Sequence, residues 1–145
     1  MKTITMILLT LFLGRSCAEA QNDLVNTTIQ YTANTRGFYQ KVVIINQKAT
    51  ISRDRSEKVL PEEIKISDAD WAALVTAFAK INLDELPKLK DPTQKRFYDG
   101  AAIANLKIKY QDKEYETTDF DHGFPPAAIE KLVNKIVALA KEKEE

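Results

Sequence analysis

Phe38-Tyr39-Gln40-Lys41-Val42-Val43-Ile44-Ile45-Asn46-Gln47-Lys48-Ala49-Thr50-Ile51-Ser52-Arg53 is the stretch whose reading decides the fold. Its first half is rich in β-branched and aromatic residues, Asn46-Gln47-Lys48 offers a polar turn, and Ala49, Ile51 and Arg53 resume an extended pattern, which together predict a β-hairpin. The same plan recurs downstream. Ala102 to Tyr110 reads as a strand with Ala104, Leu106, Ile108 and Tyr110 on one face, and Gln111-Asp112-Lys113 turns it into a second strand over Glu114 to Thr118.

Each hairpin is followed by a loop and an amphipathic helix. Ser67 opens the first, with Asp68 and Asp70 in the first turn, where carboxylates complement the free amides. Trp71, Leu74, Val75, Phe78 and Ile81 then share one face at offsets of three and four. Such a stripe is a core contact before it is a ligand groove lined by Trp71 and Phe78. Pro125 and Pro126 stand at the start of the second helix, whose apolar face is Ile129, Leu132, Val133, Ile136, Val137 and Ala140, with Lys141 and Lys143 at its C-terminal end.

Upstream, Ile29, Tyr31 and Ala33 alternate with Gln30 and Thr32 as a half-buried strand. Val59 to Ile66 is extended, a short strand in which Pro61 suits a sheet edge. Leu83, Leu86 and Leu89, with Pro87 between the last two, predict a tight helical turn and an irregular connector through Pro92. The expected fold is therefore α+β: an antiparallel sheet of about five strands with two amphipathic helices on one face, arranged as two ββα units. The opposite sheet face is left open. Val43 and Ile45 alternate out of phase with Val42 and Ile44, so this hairpin is apolar on both sides and offers a binding face, a dimer contact or a seat for the N-terminal segment.

The first 20 residues read as an export signal: Lys2, an apolar run over Ile4 to Leu13 too short to span a bilayer, and Ala18-Glu19-Ala20 before a cleavage point after Ala20. The alternative route acylates Cys17 and leaves a lipid-anchored protein, although Gly14-Arg15-Ser16 departs from the branched apolar and small residues such signals prefer. Residues 21–27 form a polar tether and 28–145 a single α+β domain. The expected location is secreted or periplasmic.

Cleavage removes Lys2, Arg15 and Glu19 from 21 basic and 21 acidic residues, which leaves 19 and 20 over 125 residues. A near-neutral domain with interspersed signs lacks the basic face that nucleic acid or an anionic membrane requires. No second apolar run can span a membrane. With Cys17 as its one cysteine the chain has no internal disulfide, so stability must come from the core.

Two segments could carry chemistry. Asp119-Phe120-Asp121-His122-Gly123 contains the sole histidine, and Asp with His can bind a divalent ion or share a proton. Against this, neighbours in a strand point to opposite sides, and no second histidine completes a ligand set, so Asp121 and His122 are first read as tying the loop to backbone amides. In Lys95-Arg96-Phe97-Tyr98-Asp99-Gly100, Arg96 could hold a carboxylate or sulfate and Tyr98 could stack on a sugar or peptide, while Asp99-Gly100 forms a turn. Arg53-Asp54-Arg55 reads as a solvated loop. The chain shows no serine–histidine–aspartate set, glycine-rich phosphate loop or zinc-helix motif, and no cofactor is expected.

Arg36-Gly37-Phe38, Pro92-Thr93, Tyr98-Asp99-Gly100-Ala101-Ala102 and Phe120-Asp121-His122-Gly123-Phe124-Pro125-Pro126 resemble a group of small exported bacterial proteins of unassigned function. The resemblance spans most of the mature chain and implies export and a compact α+β domain, with no activity, cofactor or catalytic residue. The leading functional expectation is a non-enzymatic envelope module that binds a protein, peptide or envelope ligand through the open sheet face or the loops around Tyr98 and His122. The alternative is a metal-binding protein or metal-dependent hydrolase using Asp99, Asp119, Asp121 and His122.

Overall fold

The computed structural model describes residues 24–141. The export signal, Cys17, Ala20 and the start of the tether lie outside the described residues. Leu24 is buried in the core and Thr27 begins the first strand, so residues 24–27 belong to the folded body rather than to a tether.

The strands are β1 (Thr27–Thr35), β2 (Phe38–Ile45), β3 (Lys48–Ser52), β4 (Glu62–Lys65), β5 (Ile103–Tyr110), β6 (Lys113–Glu116) and β7 (Phe120–Asp121). They form one antiparallel sheet in the order β4-β3-β2-β1-β5-β6, with β7 pairing the start of β5. The sheet thus has seven strands where about five were expected. Two of them are short: β4 lies in the C-terminal half of the stretch Val59 to Ile66, where a short edge strand was expected, and β7 is two residues of the histidine loop. The first half of the chain supplies four strands and a helix and the second half three strands and a helix, so each ββα unit is extended at its ends.

Both hairpins turn where the polar triplets predict. Asn46 and Gln47, and again Gln111 and Asp112, take left-handed backbone conformations in consecutive pairs, the arrangement whose twist matches two-residue hairpins. Gln47 is an unusual residue for that backbone, and its contacts explain it. Its side-chain amide donates to the Ile66 carbonyl at 2.8 Å and to Asp68 Oδ1 at 2.9 Å, while its carbonyl accepts from the Ile66 amide at 2.9 Å. The turn is thereby locked to the entrance of the first helix.

That helix, α1 (Asp68–Ala79), is capped by Ser67, whose Oγ accepts from the Asp70 amide at 3.2 Å. The second, α2 (Glu130–Lys141), begins four residues after Pro126, with a 3₁₀ turn over Ala127–Ile129 between them. Trp71, Leu74, Val75 and Phe78 from α1 and Leu132, Val133, Ile136 and Leu139 from α2 are buried in a single cluster with the inward faces of the central strands. The register explains why one sheet face takes both helices: Ile29, Tyr31 and Ala33 oppose Ile44, Val42 and Gln40 on one side and Ile108, Leu106 and Ala104 on the other. Lys135 Nζ lies 2.5 Å from Asp70 Oδ1 and bridges the helices. Trp71 and Phe78 face this core and are buried in it. The other sheet face carries Thr28, Gln30, Thr32, Lys41, Thr50, Asn105 and Lys107, with Val43 half-buried among them and Ile45 exposed at the rim. No helix among the described residues is long and apolar enough to cross a membrane.

Leu74 is fully buried at the centre of the helix–sheet layer. Leu74→Ala is expected to cost about 2–5 kcal/mol, through lost transfer energy and an unfilled cavity. Urea unfolding should show this as a lower midpoint with an unchanged slope.

Candidate functional site

All the loops that carry candidate residues gather at one end of the sheet. Antiparallel pairing places the end of β1, the starts of β2, β4 and β5, the end of β3 and the short β7 side by side, since Asn34 pairs with Ile103, Ile103 with Asp121, and Ile51 with Glu62. This end therefore carries the 35–38 turn, the 53–61 loop, the 89–102 connector and the 117–126 loop.

Asp121 organises it. Its partner Ile103 neighbours the core-facing Ala104, so Asp121 leaves the sheet on the face away from the helices, yet it is completely buried because the connector folds over it. Its carboxylate accepts from Thr93 Oγ1 at 2.5 Å, the Lys95 amide at 2.6 Å, the Arg96 amide at 3.2 Å and Arg96 Nη1 at 3.0 Å. Burial alone would raise its pKa, but these donors outweigh burial and hold it below the usual carboxylate range. Arg96 Nη1 also donates to Asp91 Oδ2 at 2.8 Å. Hydrogen bonding to Asp91 first, and then to Asp121, raises the guanidinium pKa and keeps it charged.

His122 turns the other way, as alternation along a strand requires. Its Nδ1 lies 2.7 Å from the Tyr31 hydroxyl, and its ring centroid stands 5.9 Å from that of Tyr31 and 5.5 Å from that of Phe38. Tyr31 is completely buried, and burial pushes its pKa far up, so the phenol keeps its proton. That proton needs an acceptor, and among the described residues His122 Nδ1 is the one within reach, which makes Tyr31 the donor to Nδ1 and leaves the ring proton on Nε2. Burial, and to a lesser extent the nearby Lys141 charge, lowers the His122 pKa and favours the neutral ring. Gly123 follows with φ +93°, a backbone that an L side chain strains to adopt.

The residues proposed for a metal are thus separated by the sheet. Asp121 has its oxygens occupied by four donors, His122 is spent on Tyr31, and among the described residues no hydrogen bond or ion pair joins Asp99 or Asp119 to either. Among the described residues no group of three or more His, Cys, Asp or Glu side chains is placed to hold an ion. Arg96 does hold carboxylates, but they are the chain's own. The Asp99-Gly100 turn closes on Lys95, with the Gly100 amide donating to its carbonyl at 2.7 Å and Asp99 left-handed.

This network holds Phe97 and Tyr98 out in solvent, 71% and 72% exposed. Arg96 Cζ lies 4.5 Å from the Phe97 centroid and Lys95 Nζ 4.0 Å from that of Phe124. Among the described residues, seven of the nine exposed large apolar side chains lie at this loop end; Val25 and Ile45 are the exceptions. Sequence reasoning missed a second braced loop. Asp54 accepts from the Ser56 amide and hydroxyl, the Lys58 amide and the Val59 amide at 2.7–3.0 Å, which lowers its pKa. Arg55 reaches the carbonyls of Thr35 and Phe38 and the Asn34 side chain. The Asp54-x-Ser56 spacing was the available signal, since aspartate bonding its own backbone two residues on builds such turns.

Asp121→Ala is expected to cost about 3–5 kcal/mol, because Arg96 and two amides lose a buried charged acceptor; Asp91→Ala, which leaves Asp121 in place, should cost less in the same denaturation series. The pH dependence has a defined sign. A lowered histidine pKa means the unfolded chain binds the proton more readily, so stability should fall as pH drops below about 6.5. The lowered Asp121 pKa adds a further loss at more acid pH, below the ordinary carboxylate range. His122→Phe should flatten only the first of these windows in thermal unfolding.

Compared with known proteins, the chain matches no family model, no curated protein and no solved structure.

Proposed function

We propose that this chain is an exported, non-enzymatic binding module of the cell envelope, secreted or periplasmic after cleavage at Ala20, or membrane-anchored if Cys17 is acylated instead. Its contact surface is the loop end of the sheet, centred on Phe97 and Tyr98. The observation that carries this reading is the pairing of exposure with rigidity. Two aromatic side chains stand more than two-thirds in solvent on a segment whose backbone amides are fixed by a buried carboxylate. Aromatic anchors dominate protein interfaces, and anchors already held in place avoid the entropy of ordering on binding. The open sheet face is a weaker candidate, because threonine, glutamine, asparagine and lysine make up most of it. The partner is a protein, a peptide or an envelope component with an apolar recess; the export signal read in residues 1–20 and the resemblance to small exported proteins support a partner outside the cytoplasm.

Phe97→Ser with Tyr98→Ser is expected to leave the unfolding midpoint within about 0.5 kcal/mol of the parent, since neither ring is part of the core. The same variant should lose the partner that the parent retains from an envelope extract. Identical retention by parent and variant would refute the assignment of this surface.

A further inference from the structure

Nine consecutive residues, 55–63, are exposed, and at their centre stand Val59 at 70% and Leu60 at 87%, the most exposed apolar side chain described. Leaving a leucine in water forgoes about 1.5–3 kcal/mol of burial. A floppy loop could fold such a residue back; this one is held. On the N-terminal side Asp54 accepts directly from the Lys58 and Val59 amides, each at 3.0 Å. The loop is also pinned to the 34–38 turn by Arg55, and Glu57 is kept left-handed at φ +57°. On the C-terminal side the chain enters β4 at once, where Glu62 pairs with Ile51 and Glu63 with Thr50. The peptide bond between Leu60 and Pro61 is therefore exposed, and the chain is anchored within two residues on each side.

Proline defines what this geometry suits. It restricts the preceding residue to extended backbone, the conformation in which a peptide lies along an endopeptidase cleft by strand addition. It also has no amide hydrogen, and its ring crowds the departing side of the bond, so Leu60-Pro61 is a poor bond to cleave. An apolar side chain aimed outward, followed by a bond that is poor to cleave and held from both sides, suits bait better than substrate.

We propose that the 54–61 loop is an inhibitory loop that occupies the cleft of a serine endopeptidase with an apolar specificity pocket, Leu60 filling that pocket. This goes beyond the Phe97–Tyr98 surface and uses a different loop at the same end of the sheet. Nearby charges are mixed, with Glu57 and Glu62 against Lys58 and Arg55, so the apolar pocket rather than a charged one selects the enzyme.

The test uses the full chain against chymotrypsin and subtilisin with a chromogenic peptide substrate. Competitive inhibition by an intact chain is expected from the parent, and Leu60→Asp should weaken it about thirtyfold or more, the loss of an interface anchor. Pro61→Ala should turn the loop into a substrate. Water then adds across the bond, leaving a carboxylate on Leu60 and a free amine on residue 61, and mass spectrometry should find one cut there. Both positions are exposed, so unchanged unfolding midpoints confirm that the variants fold. A parent that inhibits neither enzyme or is degraded by them, or a Leu60→Asp chain that inhibits equally well, overturns the inference. Phe97→Ser with Tyr98→Ser should retain inhibition; if inhibition is lost there and kept in Leu60→Asp, the inhibitory loop is wrong while the aromatic surface stands.

Discussion

The buried carboxylate of Asp121 is the contact on which the loop end of the molecule depends. From Leu89 to Ala102 the chain contains no long helix and no strand, so its own backbone pairing cannot position it. One acceptor does so by gathering the Thr93 hydroxyl, two successive amides and a guanidinium. An unpaired ion at such depth would be prohibitive; with four donors and a second carboxylate sharing Arg96, the charge is compensated locally. The neighbouring side chains complete the junction. Phe120 enters the core, Asp121 holds the connector on the opposite face, and His122 returns to the helix side to meet Tyr31. Three consecutive residues thus join three parts of the structure, using nothing more than the two-residue alternation of a strand.

That alternation also accounts for how far the chain can be read without coordinates. The hairpins, the faces of both helices and the inward set Ile29, Tyr31 and Ala33 were legible because burial repeats at the period of each element. β4 was read within a longer extended stretch, Val59 to Ile66, without its bounds, and β7 not at all, since two or four residues with mixed charge leave no periodic trace. Those strands exist because β3 and β5 offer unpaired backbone beside them. The start of α2 was placed too early for a related reason: two prolines permit a helix but do not require one, and the chain used a 3₁₀ turn first.

The candidate residues divide in the same way. That Asp121 and His122 diverge followed from strand alternation, whereas turn chemistry foretold only ties to nearby backbone amides: Asp121 instead accepts from amides 25 and 26 residues away, and His122 meets the Tyr31 hydroxyl. Their partners Thr93, Arg96 and Tyr31 were invisible as partners, because they lie 28, 25 and 91 positions away and only the closed sheet brings them near. Arg96 was read as a receptor for an outside anion; the fold had already given it two carboxylates. Arg53-Asp54-Arg55 looked like solvated charge, yet Asp54 organises its loop, and Arg53 Nη2 caps the last turn of α2 by donating to the Ala140 carbonyl at 2.6 Å.

The loop end therefore uses one device twice, an aspartate whose acceptor capacity is filled by the amides of a loop, and each time the loop so fixed presents apolar side chains to water. The two differ in what they can meet. Lys95 and Arg96 sit over the faces of Phe124 and Phe97, which dresses the aromatic loop in positive charge and leaves Tyr98 as its unobstructed ring. Val59 and Leu60 carry no such partners, and Pro61 removes a backbone donor beside them, so that loop offers shape and apolar area with little hydrogen-bonding of its own. A single flexible surface could be shared between partners by rearranging; two rigid ones cannot, because each would have to break four bonds to its aspartate before changing shape. Bracing on this scale makes the two loops separate surfaces, positioned together by the sheet and distinguished by chemistry, as the two proposed contacts require.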